Sequence, residues 1–333
     1  MNESHPSRKR FGDIINLTFK VYFSDFWRNL GTGVLIFLAS LLCFIPLVLV
    51  FLSAISFTGY PFYDFNPAII VALVLGYILI IVGVSIFVPS FFTSFFGQKT
   101  LDTLQKNEVT PKERRKKMFS SVGRIAGVQT IYIVAYAILS IAISIPMFIN
   151  MFSYSFMELA YGYGMDQFSN MMWMNNIYSI VLTLAALIFV FLKQEALFQN
   201  KRWFSAFGGG IRTLFKGNFW VTIGEFIVFG LMVMVATYII FFISFLILGL
   251  IGAAIIIPFG LMGAGGSLTS AAIVAISVLG TIFVAVMVAF SSIYTGLVEV
   301  FSAIVYFNAR TTSDGEAFPG FDENAALESG KEE

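Results

Sequence analysis

The chain is poor in the residues on which most soluble chemistry depends. Of 333 residues only 12% are charged, one is a histidine and one is a cysteine. The histidine, His5, belongs to a polar leading segment, so no imidazole stands in the apolar body of the chain. The cysteine, Cys43, lies in an apolar run; alone it excludes an intramolecular disulfide and fits a small buried hydrophobe. With no second histidine, no metal-spaced cluster of His and carboxylates and no Gly-x-Ser-x-Gly elbow, hydrolysis lacks its usual groups. Nineteen acids nearly cancel twenty bases, which removes the net charge that would point to nucleic acid. The sequence therefore predicts no enzyme, no cofactor, no metal and no nucleic-acid partner.

What is abundant is hydrocarbon. The chain is 58% apolar and 17% aromatic, with a mean hydropathy of +0.86, far from soluble domains and suited to a bilayer. The start MNESHPSRKRFGD carries no small-residue cleavage site before the first long apolar run, so no cleaved signal peptide is expected. About 20 apolar residues cross the hydrocarbon. Six runs meet that length, at about 30–55, 67–92, 126–150, 176–197, 219–246 with an extension to about 262, and 271–306. Gly249, Gly252 and Pro258 predict a kink, an unwound turn or an outer-leaflet stretch in the extension. Three amphipathic segments, about 11–29, 111–125 and 201–218, are expected to lie at the interface as helices. Thr110-Pro111 with Glu113 marks the start of the second. The segment Gly97 to Arg124, rich in bases, is expected in water, and the Met-rich Met151 to Asn175 as a loop. Its thioethers could hold Cu(I), but no His or Cys accompanies them, and the interleaved Trp173 and tyrosines favour a segment lying on the membrane.

An internal repeat organises these pieces. With one three-residue gap, Phe11, Gly12, Ile15, Phe19, Lys20, Phe26, Trp27 and Gly31 align with Phe207, Gly208, Ile211, Phe215, Lys216, Phe219, Trp220 and Gly224. Each copy leads into an apolar run. The twenty Lys and Arg residues fall before the first run, between runs two and three, from the end of run four (Lys193) to the start of run five, and after the sixth; none occupies the alternate loops. The positive-inside rule then puts both termini and both basic loops in the cytoplasm. The expectation is an all-α polytopic membrane protein: one domain over 1–310, six transmembrane helices in three hairpins with cytoplasmic amphipathic interfacial helices, and a disordered acidic tail over 311–333.

Polar candidates cluster at the cytoplasmic ends. Glu195, Glu225 and Glu299 stand near span ends, where an acid buried in hydrocarbon would cost about 2.5–3.5 kcal/mol. They either share a polar site for a proton, cation or lipid amine, or pair at headgroup level with bases such as Lys193, Arg202, Arg212 or Arg310. Arg202, Arg212 and Lys216 could bind anionic lipid headgroups. Gly208, Gly209 and Gly210 precede Arg212 without the Lys-Ser or Lys-Thr of a phosphate loop. They predict a close helix contact or a break instead.

The opening FGDIINLTFKVYFSDFW, the central KQEALFQNKRWFSAFGGGIRTLFKGNFWVTIG and the closing VYFNAR resemble recurring segments of bacterial six-span proteins of the glycerophosphoryl diester phosphodiesterase membrane-domain type, which include the YciC-like inner-membrane proteins. Such relatives often end on a Tyr-Tyr-Asp-Leu-Arg-like sequence; Tyr306, Phe307 and Arg310 fit, while Asn308 replaces the acid. These 333 residues carry no stretch read as a phosphodiesterase domain, so no catalytic residue is expected to carry over. The resemblance implies the bacterial plasma membrane. Two functions follow as expectations. One is a non-enzymatic scaffold or accessory protein, with membrane lipids and a membrane-protein partner or second copy as its contacts. The other is a transporter or binder of a lipid or small molecule, using a cavity near Glu225 and Glu299.

Overall fold

A long apolar run must satisfy its backbone N–H and C=O groups within itself when water is absent, and a helix does so. The computed structural model describes residues 8–43, 45, 67–106, 109–161, 166–262 and 270–314, and these form eight helices. They are α1 (Phe11–Phe23), α2 (Phe26–Leu42), α3 (Pro67–Leu104), α4 (Pro111–Tyr161), α5 (Asp166–Phe198), α6 (Trp203–Lys216), α7 (Phe219–Met262) and α8 (Ser270–Asp314). Five segments are long and apolar enough to cross a membrane: Val74–Leu104, Lys112–Ala142, Ile180–Phe198, Phe219–Ile251 and Ser277–Ser313. The protein is therefore membrane-embedded and all-helical among the described residues. The first expected crossing, 30–55, is described only as far as the 17-residue α2, and the remainder of it lies outside the described residues.

Several expected boundaries move, each for a local reason. The segment 11–29 is not one helix: Asp25 leaves helical geometry at φ −134° and ψ 53°, dividing α1 from α2. The segments 111–125 and 126–150 are one helix of 51 residues, about 76 Å long at 1.5 Å per residue. Its start is a capping box: Glu113 Oε2 accepts the Thr110 N–H at 3.2 Å, and Thr110 Oγ1 accepts the Glu113 N–H at 3.4 Å. Residues 151–161 continue α4, and α5 begins at Asp166, so most of the expected Met-rich loop is helical. The side chains of its six methionines lie outside the described residues. α7 runs unbroken through Gly249, Gly252 and Pro258, so no turn unwinds there. α8 continues four residues into the expected tail, and 315–333 lie outside the described residues. α3 continues past the expected span end at 92 and carries Lys99 and Asp102 into the buried interior rather than into water.

Packing is concentrated at the charged ends of the helices. The C-terminal part of α8 is the central pillar: Val300, Phe301, Ile304, Val305 and Tyr306 are fully buried, and α1, α2, α3, α5, α6 and α7 all pack against α8. Phe229 and Phe301 stack with ring centroids 3.8 Å apart, and Phe191 meets Tyr306 edge to face at 5.9 Å. Tyr22 stacks on Phe96 at 5.7 Å, tying α1 to α3. Farther along, the apolar surface is uncovered by the described residues: among them, none in the most apolar window of α7 is buried. In hydrocarbon, apolar burial gains little because lipid tails are as apolar as leucine, so cohesion there must come from close packing and polar contacts.

The two aligned segments have matching local shapes. α1 and α6 are short amphipathic helices, each followed by a two-residue break and then a long helix opening on Phe-Trp. Phe26 and Trp27 meet edge to face at 5.2 Å, as do Phe219 and Trp220 at 5.2 Å. Trp27 and Trp220 are 80% and 79% exposed, as suits rings seated at a membrane interface. At the second break Asn218 adopts φ +65°, a left-handed conformation that asparagine tolerates. Beside it Gly217 lies so close to α8 that a Cβ there would stand 2.8 Å from the Ala309 carbonyl oxygen.

Candidate functional site

The charged ends of the helices form a layer of buried polar contacts, most of which join elements distant in sequence. Glu225, near the start of α7 and 5% exposed, accepts from Arg8 at 2.9 Å. The same guanidinium donates to the Gly217 carbonyl at 2.6 Å and to Thr222 Oγ1 at 3.3 Å. Arg8 thus clamps the segment before α1 onto the α6–α7 junction. Glu299 of α8 pairs with Lys193 of α5 at 3.0 Å, using Oε1 only. Glu195 of α5 accepts from Lys201 at 2.6 Å and from the Tyr306 hydroxyl at 2.6 Å. Its position is dictated by packing: Gly209 faces the Glu195 carboxylate, and Gly210 faces the backbone of Leu192, so the α5–α6 crossing has no room for a Cβ at either glycine. The third glycine, Gly208, meets nothing.

The seven sequence candidates are therefore not one site. Glu225 and Glu299 have separate partners. Glu225 lines a shallow cavity of about 480 Å³ with Arg8 and Phe11, while Glu195, Arg212 and Arg310 line another of about 420 Å³ with Lys201 and Thr213. Arg202 is the exposed residue before α6, its backbone N–H donating to Ser205 Oγ at 3.1 Å. Arg212 and Lys216 are exposed on α6, and Arg310 is buried on α8. Of the bases expected to pair with the acids, Lys193 does so with Glu299.

Sequence reasoning did not anticipate the rest of the layer. Lys99 of α3 is buried and donates to Asn29 Oδ1 at 2.9 Å and to Asp25 Oδ2 at 3.2 Å. Asn29 in turn donates to the Tyr22 carbonyl. Arg114 of α4 pairs with Asp102 of α3 at 3.0 Å. Asn308 binds the backbone of Lys9 from both sides of its amide: Oδ1 accepts the Lys9 N–H at 2.8 Å, and Nδ2 donates to the Lys9 carbonyl at 3.3 Å. A carboxylate could accept but not donate, so asparagine suits this position better than aspartate. The one sequence signal for these partners was the placement of charges beside apolar stripes; which base meets which acid is a matter of helix packing. Tyr22, outside the spans, is buried with no partner for its hydroxyl among the described residues, and burial pushes that hydroxyl up to about 12.

Chemically, this layer holds charge in place. Among the described residues no group of three or more His, Cys, Asp or Glu gathers as a metal site would require. A further cavity, about 710 Å³, lies away from every sequence candidate, between α2, α3 and the start of α4. It is walled by Leu35, Ile36, Ala39, Val84 and Phe87, with Arg28, Arg114 and Arg115 also in its lining. Comparison with protein-family models, with curated proteins and with solved structures finds no match for the chain.

Proposed function

We propose that this is a non-enzymatic scaffold or accessory protein of the bacterial plasma membrane, with six crossings in three hairpins and both termini on the charged, cytoplasmic side. One observation carries the reading: the buried carboxylates Asp102, Glu195, Glu225 and Glu299 are each engaged by a base that belongs to another element or to a connecting segment. A buried ion pair of this kind fixes geometry more than it adds stability. It also leaves the carboxylates committed rather than poised for proton transfer. The long helices present apolar faces uncovered by the chain, Ile239, Phe242 and Leu246 of α7 among them, and these offer surface to a partner helix or a second copy. Kinship with the YciC-like proteins, on the three segments of sequence quoted above, is part of the same proposal.

Photo-crosslinkers placed at 239, 242 and 246 in gently solubilised membranes are expected to yield discrete protein adducts. Monomer with no adduct at any position would sink the scaffold reading. A transporter coupled through Glu225 and Glu299 is the rival. It requires that Glu225→Gln with Glu299→Gln abolish ligand-dependent stabilisation. The two separate ion pairs favour instead a simple loss of stability in that variant.

A further inference from the structure

We propose that the groove between α2, α3 and the start of α4 binds one anionic glycerophospholipid from the leaflet at the charged ends of the helices. Its phosphate would sit against Arg28 and Arg115, and an acyl chain would lie along Ile36, Ala39, Val84 and Phe87. Three observations converge on this occupant. The first is charge. Arg28 and Arg115 are exposed and have no ion pair among the described residues. Arg114 gives its Nε–H to Asp102, and its side chain makes no further hydrogen bond among the described residues. Three guanidinium groups answered by a single carboxylate favour an anion, and the planar N–H fork matches phosphate oxygens in pairs. A choline headgroup would bring a fixed cation against them.

The second observation is length. From Arg28 to Cys43, both lining the groove, α2 and its cap advance about 22 Å at 1.5 Å per residue. One leaflet supplies about 15 Å of hydrocarbon and a further 5–8 Å or so of headgroup region. The basic end and the apolar length therefore fall where the two parts of one lipid would. The third is shape. The cavity of about 710 Å³ lies within the range that encloses a small amphiphile, and it is concave where a plain lipid-facing helix would be convex. Gly83 lines it, and a Cβ there meets nothing within 4 Å, which leaves room for an acyl chain beside α3.

The test is native mass spectrometry of the full chain released from micelles holding equal amounts of phosphatidylglycerol and phosphatidylcholine. One phosphatidylglycerol should be retained in preference. Arg28→Gln with Arg115→Gln should cut that preference about tenfold, as expected for losing charge-assisted contacts. Gly83→Leu, whose Cβ meets nothing within 4 Å and which adds bulk to the groove with the arginines intact, should remove the adduct. Arg212→Gln with Lys216→Gln on α6 should keep it. Equal retention of both lipids by the native chain, or preference unchanged in both groove variants, overturns the proposal. Displacement of the lipid by glycerol phosphate alone overturns it too, since the site would then recognise phosphate without the acyl chain. Should the double arginine variant fail to fold, Gly83→Leu decides the matter.

Discussion

Replacing Arg8 with alanine leaves Glu225 charged, 5% exposed and without its base. The Gly217 carbonyl loses a 2.6 Å donor in the same change. Breaking a buried pair from one side costs about 3–5 kcal/mol, because the remaining charge keeps its desolvation penalty and loses its compensation. The Arg8 side chain is 15% exposed, so water can enter the vacated space, and the lower end, about 3 kcal/mol, is expected. For a chain of this size that corresponds to about 4 °C in a thermal unfolding scan in detergent. Removing both charges is a different perturbation. Arg8→Met with Glu225→Leu should recover most of the loss and lie within about 1 kcal/mol of the native chain, since two apolar side chains need no compensation. The readout is the double-mutant cycle through Arg8→Met and Glu225→Leu, and a coupling of at least about 2 kcal/mol is expected. A silent Arg8→Ala, or a double variant less stable than the single one, would refute the clamp and with it the claim that the segment before α1 is fixed to the α6–α7 junction.

Two further outcomes follow from single side chains. Tyr22 has its hydroxyl pushed up to about 12 from an ordinary 10.0, so the folded chain keeps this proton after the unfolded chain has lost it. The resulting stability is full below pH 10 and declines as pH rises toward 12. Tyr22→Phe should flatten that alkaline decline and, at neutral pH, match the native chain or exceed it by about 1 kcal/mol, because an unpartnered buried hydroxyl disappears. A destabilised variant with an unchanged alkaline limb would contradict this. Asn308→Asp keeps the acceptor for the Lys9 N–H and loses the donor to the Lys9 carbonyl, so a loss of about 1–3 kcal/mol is expected at neutral pH. Acidification, by restoring a proton to donate, should narrow the gap. Equal stability at every pH would show that the amide is not needed.

Much of the architecture was legible in order along the chain. Charge-free apolar runs marked the membrane segments. Thr110, Pro111 and Glu113 marked the start of α4 through a contact three residues long. The Phe219-Trp220 pair marked where α7 begins, whereas Phe26-Trp27 fell inside the expected helix 11–29, which the structure divides at Asp25. All of these rest on periodicity or on neighbours in sequence. The helix lengths were harder, because the turn between two helices and a helix continuing past the membrane have similar polarity. For that reason the sequence alone places Lys99 and Asp102 in water. A buried lysine is tolerable only beside Asp25 and Asn29, and their proximity depends on how α2 leans on α3.

The sequence by itself determined the class of molecule, because a bilayer selects for long apolar helices and polar residues must gather at their ends. It also determined that the polar residues would be few, so that each one would need a partner. The tertiary structure alone decided the partners: Arg8 with Glu225, Lys193 with Glu299, and Glu195 between Lys201 and Tyr306. Ion pairs have a range of a few ångströms, and residues more than a hundred positions apart are brought within it only by packing around the end of α8. The same packing opened the groove between α2, α3 and α4, a space that belongs to no one helix and that no stretch of sequence spells out.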